Sequence, residues 1–314
     1  MPTMVSTDSA KRALFERLID DASLFPPAGL PMREALRAHA RHSESAYAFV
    51  GGRFVAPASR LDELVATRAA NERPDLAVVL DAASLGAKGN AIRADLARVA
   101  RAREAGVTVS ALEFRLPGPA LGADALGAVL EEVAAGWPSD PISVWYEPGY
   151  HDGWTTPAEV ALAAVAGARE SAPANLTLGA KLRCGGATPS QVPEVDDVVA
   201  FLVAAQAGGV PWKATAGLHH PIRSTLGGVA AHGFLNLFIA GILLHASALE
   251  VVLLDDVLAE EDPRAFQVDP LHVGWLEARV GADAVAAARA HCVGFGSCSF
   301  DEPVNGLREL GLLA

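Results

Sequence analysis

Short runs of β-branched and apolar residues alternate along the chain with glycine- or proline-rich loops and with stretches rich in alanine and leucine. Short runs of this kind are typical of buried strands, and the longer alanine- and leucine-rich stretches are typical of helices. Seven runs are predicted to be strands, at residues 46–55, 75–81, 109–117, 143–149, 176–186, 210–217 and 293–300. An eighth strand is expected between Gly217 and His291, either at 232–238 or within 265–280.

Strands that alternate with helices predict parallel pairing, because a crossover helix returns the chain to the same end of the sheet. Eight such units favour a closed barrel over an open sheet, and the first loops lack the GxGxxG pattern of dinucleotide-binding folds. We therefore expect one α/β domain over residues 1–314, a (β/α)8 TIM barrel in which residues 1–43 form an N-terminal helical and loop extension. The segment 20–28 (DDASLFPPA) is expected either to plug the barrel bottom or to reach over its mouth.

Side chains alternate between the two faces of a strand, so the large apolar set is expected beneath the helices and the other set inside the barrel. On five strands this places charged residues inward near the carboxyl end, and cations outnumber carboxylates among them: Asp81, Glu113, Arg115, Glu147, Lys181, Arg183 and Lys213. An unpaired buried charge costs several kcal/mol, and catalytic groups of barrels lie at this end of the strands. A functional site is favoured over a purely structural ring of ion pairs.

Lys213 is the first candidate for chemistry. Apolar neighbours and nearby cations are expected to lower its pKa, so that its neutral amine attacks a carbonyl and forms a Schiff base. The string KATAG, which begins at Lys213, resembles the KTSTG-type lysine strand of deoxyribose-phosphate aldolase. That resemblance implies a class I, Schiff-base lyase with its lysine on the sixth strand. The alternative role for Lys213 is to neutralise Glu147 or to bind a substrate carboxylate.

The other candidate residues fit a small anionic carbonyl substrate. Glu147 or Glu113 would act as general base, and Lys181, Arg183 and Arg115 would hold the anion. His219 or His220 would carry protons. Further substrate contacts are expected from five residues, namely Asp81, Arg53, Thr215, Asn236 and Ser297. The sequence therefore predicts an aldolase-like lyase or an isomerase that uses no cofactor.

Two other functions stay open. A metal-dependent hydrolase or lyase would hold zinc or another divalent ion with His219, His220, Glu147 and a cysteine, either Cys184 or Cys298. A non-catalytic barrel would bind a ligand or act as a scaffold without catalysing a reaction, and Lys213→Ala would then change ligand affinity or assembly.

Charge and cysteine content limit the partners. The formal net charge of −12 argues against nucleic acid or an anionic membrane, which both need a basic face. Three cysteines without a disulfide framework and an N-terminus without an apolar signal region indicate a cytoplasmic protein. The apolar run that starts at Phe234 is interrupted by Asn236, His245 and Glu250, so a buried helix is expected there rather than a membrane span. Assembly into a homo-oligomer is left open.

Overall fold

Eight parallel strands close into a barrel in the computed structural model, which describes residues 9–69, 72–81, 90–115, 123–137, 140–148, 158–186, 188–226 and 229–314. The barrel strands, in spatial and chain order, are β1 (Ile19–Asp21), β2 (Gly51–Pro57), β3 (Asp75–Val79), β4 (Thr108–Arg115), β5 (Ile142–Glu147), β6 (Leu176–Arg183), β7 (Trp212–Thr215) and β13 (Cys292–Ser297). β13 pairs with β1 and closes the ring. The predicted (β/α)8 fold is confirmed.

Helices connect successive strands and form the outer layer of the barrel. Their bounds are α1 (Ala10–Phe15), α2 (Met32–Ser43), α3 (Leu61–Thr67), α4 (Asn90–Glu104), α5 (Ala123–Gly136), α6 (Ala158–Glu170), α7 (Val195–Ala207), α8 (Phe234–His245), α9 (Leu254–Ala259), α10 (Ala282–Arg289) and α11 (Asp301–Glu309). Among the described residues, no helix has both the length and the apolar character needed to cross a membrane. Residues 234–244 of α8 are buried on all sides, as the apolar run that starts at Phe234 predicted.

The eighth strand was predicted at the wrong place in the sequence. That strand is β1, within the segment 1–43 that was expected to be an extension, so this segment supplies part of the barrel. All three residues of β1 are buried, and a strand of three residues is too short to show alternation. Residues 232–238 instead contain the start of α8, which follows a two-stranded antiparallel sheet of β8 (Ser224–Leu226) and β9 (Val229–Ala231). Residues 265–280 fall in a small antiparallel sheet of β10 (Phe266–Val268), β11 (His272–Trp275) and β12 (Ala278–Gly281).

The strand count changes the position of the two lysines. Because β1 comes first, Lys181 lies on the sixth barrel strand and Lys213 on the seventh. The register pairs these two residues directly across neighbouring strands, so their side chains leave the sheet at the same level and on the same face.

The two faces of the barrel strands differ as the alternation predicted. Large apolar residues such as Leu112 and Phe114 are buried in the main core beneath the helices. The interior holds a smaller apolar cluster, in which Trp145 packs with Val55, Ala77 and Ala111. A β-carbon on Gly179 would overlap the Trp145 ring, so the glycine makes room for the indole inside the barrel.

Candidate active site

A cavity of about 760 Å³ opens at the carboxyl ends of the barrel strands. Its polar and charged lining comes from β4, β5, β6, β7 and β13 and from the residues that follow them: Glu113, Arg115, Glu147, Lys181, Arg183, Gln191, Lys213, Thr215, His219, Ser297 and Cys298. Alternation along single strands had assigned most of these side chains to the interior, and the barrel brings them together. Pockets at this end of the strands are where enzymes of this architecture place their chemistry.

Six charged side chains at the base of the cavity form one continuous chain of salt bridges. We call it the ion-pair chain, and its order is Asp20, Lys213, Glu113, Lys181, Glu147 and Arg183. Three carboxylates alternate with three cations, so the chain as a whole is neutral. The expected excess of cations among the inward residues is offset here by Asp20, which the alternation had not assigned to the site.

Glu113 lies at the centre of the ion-pair chain. Its Oε1 is 2.6 Å from the amine of Lys213, and its Oε2 is 2.7 Å from the amine of Lys181. Burial alone would raise the pKa of the Glu113 carboxyl, but the two ammonium groups outweigh burial and lower this pKa to about 2. Glu113 is therefore ionised and holds the two lysines at a fixed spacing.

Lys213 is held between carboxylates rather than among cations. Its amine donates to Asp20 Oδ2 at 2.5 Å as well as to Glu113, and its side chain is buried. Asp20 Oδ1 also accepts from the backbone N–H of Arg53 at 2.6 Å. The expectation that cations surround Lys213 is corrected by this geometry, because its direct partners are two acids.

Glu147 binds the other end of the ion-pair chain. One of its oxygens is 3.1 Å from the amine of Lys181, and the other is 2.8 Å from the guanidinium of Arg183. Burial opposes ionisation of Glu147, yet the two cations keep the pKa of its carboxyl below the usual value. For Lys181 burial likewise opposes the charged form, but Glu113 and Glu147 together raise the pKa of this amine, so Lys181 stays an ammonium.

Arg115 differs from the other cations of the cavity. It lies at the end of β4, half-buried, and lines the cavity wall. Within the part of the chain that the structure describes, no carboxylate lies within salt-bridge distance of its guanidinium, whereas Arg183 is bound to Glu147. Arg115 is thus the lining cation with donors to offer an anion.

The two predicted histidines differ in their position relative to the cavity. His219 lines the cavity, and its Nδ1 is 2.6 Å from an Oε2 of Glu302. His220 is exposed and does not line the cavity. Thr215 and Ser297 both line it, and the Ser297 hydroxyl donates to the carbonyl of Ser299.

Three residues predicted to contact substrate lie outside the cavity lining. Asn236 is buried in α8, where its side chain accepts from the Arg223 N–H and donates to two backbone carbonyls, so its polar atoms already have partners. The guanidinium of Arg53 donates to the Ser110 hydroxyl. Asp81 accepts from the backbone N–H of Ser59. The structure thus places these three side chains outside the cavity lining, each with a protein hydrogen-bond partner.

The residues of the alternative metal site do not come together as a group of ligands around one point. The described residues contain no group of three or more His, Cys, Asp and Glu side chains placed to hold a metal ion. Within the proposed set, Glu147 is bound by two cations, His219 pairs with Glu302, and burial raises the pKa of the Cys184 thiol. Burial also raises the pKa of the Cys298 thiol, which disfavours the thiolate that would bind a metal.

Asp20 was not among the residues predicted for the site. The only signal was a pair of acids, Asp20 and Asp21, directly after an apolar stretch. Asp20 faces Lys213, whereas Asp21 turns to His39 on α2, so the two acids have different roles. Phe25, Pro26 and Pro27 line the cavity, so the segment 20–28 lies at the carboxyl-terminal end of the barrel strands and does not plug the bottom.

No protein-family model matches the chain, and no curated protein matches it significantly. Fold and cavity together define an α/β, TIM-barrel-like protein of one domain, an architecture that commonly carries enzymes. The strand position of Lys213 does not support the local resemblance of KATAG to an aldolase lysine strand. Lys213 is on the seventh barrel strand, whereas the resemblance implied the sixth.

Proposed function

We propose that the protein is a lyase or isomerase that acts on a small anionic carbonyl compound through a Schiff base on Lys213. The observation that carries this proposal is the pair of neighbouring buried lysines bridged by Glu113 at the base of a 760 Å³ cavity. Apolar packing would stabilise a barrel interior better than buried ion pairs do. A chain of six charges at the catalytic end of the strands is therefore better explained by chemistry than by stability.

The two lysines have separate roles in this proposal. Lys181 lies between two glutamates, which keep it charged, so it suits the task of stabilising negative charge on the carbonyl oxygen. Lys213 has Asp20 and Glu113 in contact with its amine. Glu113 is shared with Lys181, whereas Asp20 forms a salt bridge with Lys213 alone among the described residues, so Asp20 is assigned to accept the proton that the amine must lose before it attacks. The amine then forms a bond to the carbonyl carbon. The carbonyl oxygen takes up one hydrogen from the amine and the proton held by the carboxyl group, and it leaves as water to give a protonated imine.

The imine withdraws electrons from the neighbouring carbon, so a C–H or C–C bond there is weakened. Glu147 is ionised and lies at the same end of the barrel, which suits it to accept the proton released in that step. Arg183 and Lys181 fix the orientation of this carboxylate through its two oxygens. Side chains alone supply this chemistry.

Arg115 would bind the anionic group of the substrate. The ion-pair chain is neutral, so a substrate with one carboxylate or phosphate can balance the charge of Arg115 without breaking an existing pair. Of the three cations expected to hold the anion, Lys181 and Arg183 are paired with Glu147, so the proposal gives this role to Arg115.

Borohydride trapping tests the proposal. The protein is incubated with pyruvate, glyoxylate or dihydroxyacetone phosphate, reduced with cyanoborohydride, and examined by intact-mass spectrometry. We expect a mass increase equal to one reduced adduct with at least one probe. The matched control is Lys213→Arg, which keeps a cation beside Asp20 and Glu113 but has no amine nucleophile, and it should gain no mass. Equal adduct formation by the wild type and Lys213→Arg would overturn the proposal, as would a substrate that is turned over without any adduct.

A further inference from the structure

The pair of His219 and Glu302 lies at the rim of the cavity, apart from the ion-pair chain. His219 Nδ1 is 2.6 Å from Glu302 Oε2. We propose that Glu302 is a positioning residue that fixes the ring and tautomer of His219, so that His219 transfers protons between the substrate and solvent at the mouth. This inference rests on the proposed function for its catalytic meaning, although the pairing itself can be tested without a substrate.

The backbone around His219 is built to hold the ring in place. Ala216 and Gly217, which follow β7, both have positive φ angles, of 60° and 73°. A β-carbon on Gly217 would lie 2.7 Å from the carbonyl oxygen of Cys184, so only glycine allows the two loops to approach this closely. The loop is also tied down beyond the histidine, because the N–H of Phe234 donates to the carbonyl of His220. His219 is thus carried on an anchored loop directly after the Lys213 strand.

Glu302 is brought to His219 by the packing of α11. Gly306 lies against Pro221, where a β-carbon would come within 2.6 Å of the proline ring. Glu302 precedes Gly306 by one helical turn and therefore lies on the same face of α11. The N–H of Glu302 donates to the Ser299 hydroxyl at 3.2 Å, which fixes the start of the helix. The close contact at Gly306 therefore holds α11 where the Glu302 carboxylate reaches the His219 ring.

A carboxylate on one ring nitrogen determines the role of the other. Glu302 is an acceptor, so Nδ1 carries the hydrogen when the ring is neutral, and Nε2 is left with a free lone pair. Nε2 is then the atom that takes or gives a proton at the cavity. His220 lacks these features, since it is exposed and outside the cavity lining. The geometry therefore selects His219 from the two histidines.

Imidazole ¹⁵N NMR of the full chain tests the pairing directly. His219 is assigned by comparison with His219→Gln. In the wild type its neutral ring should show a pyrrole-like Nδ1 and a pyridine-like Nε2. Glu302→Ala should shift this ring toward the Nε2–H tautomer. The matched control is Glu309→Ala, which removes an exposed glutamate from the end of the same helix and should leave the tautomer unchanged. An Nε2–H ring in the wild type, or an unchanged ring in Glu302→Ala, overturns the inference.

Turnover supplies the second readout, with whichever probe gives an adduct on Lys213. His219→Gln should lower kcat by about 100- to 10,000-fold, the usual contribution of a general acid or base, with KM nearly unchanged. Glu302→Ala should lower kcat less, and Glu302→Asp should recover part of the loss. Equal kcat values in wild type, His219→Gln and Glu302→Ala would overturn the proton-transfer role even where the tautomer is as expected. A wild type without adducts refutes the proposed function and leaves the NMR result to decide the pairing alone.

Discussion

Replacing Glu113 by Gln should destabilise the protein strongly, because this side chain links the two lysines of the ion-pair chain. The variant keeps the shape of the side chain and removes its charge. The amide oxygen of the new side chain can accept a hydrogen bond from one ammonium group. Its amide nitrogen then faces the other ammonium group, and because both are donors no hydrogen bond forms between them. Removing one partner of a buried ion pair typically costs about 3–5 kcal/mol.

The pKa of Glu113 gives an independent magnitude. A fall from 4.5 to about 2 corresponds to about 3 kcal/mol of folding free energy at neutral pH. The folded pKa is the lower one, so this stabilisation is complete above pH 4.5 and is lost as the pH falls toward 2. The difference in stability between wild type and Glu113→Gln should therefore be largest near neutral pH and should shrink below pH 4.5.

Thermal unfolding followed by circular dichroism measures this difference. With the usual unfolding entropy per residue, about 3–5 kcal/mol lowers the Tm of a chain of this length by about 5–8 °C. Glu309→Gln, an exposed substitution on α11, serves as the control and should shift the Tm by about 1 °C or less. A Glu113→Gln variant that melts within about 1 °C of the wild type at neutral pH would show that Glu113 does not stabilise the fold through its two lysines, as would a difference that grows as the pH falls.

Three further predictions follow from the surroundings of single residues. Arg115→Gln should leave the Tm within about 1 °C, since Arg115 has no salt bridge within the described part of the chain. It should weaken binding of pyruvate or inorganic phosphate about 10- to 100-fold by calorimetry, and unchanged affinity would exclude Arg115 as the anchor. Asn236→Ala should cost about 2–4 kcal/mol in urea unfolding through its lost hydrogen bonds, with adduct formation on Lys213 unchanged. Burial and the neighbouring His245 lower the pKa of His291 from 6.5, so stability should fall as the pH drops below that value, and His291→Gln should flatten this dependence in Tm scans.

Alternation of apolar and polar residues predicted the barrel and the level of its charged interior. It works on strands such as β4 and β6, whose eight residues show the two faces clearly. It could not find β1, where three consecutive buried residues show no period. For the same reason Asp20 was missed, although it completes the charge balance beside Lys213.

Partners of the charged residues could not be predicted from one strand at a time. Alternation shows that Lys213 points inward, but the identity of its contacts depends on Asp20 from β1 and Glu113 from β4, which are distant in sequence. The pairing of His219 with Glu302 likewise depends on how α11 packs on the loop after β7. Adjacent histidines give no indication in the sequence of which one faces the cavity.

Peptide mapping of the reduced adduct tests directly whether Lys213 is the lysine that forms the Schiff base. The wild-type protein is treated with the carbonyl probe and cyanoborohydride, digested, and sequenced by tandem mass spectrometry. We expect the modification on Lys213, and we expect Lys181, whose pKa is raised by two glutamates, to stay unmodified. Modification of Lys181 in place of Lys213 would contradict the assignment of the nucleophile. Modification confined to lysines outside the cavity would contradict the Schiff-base site altogether.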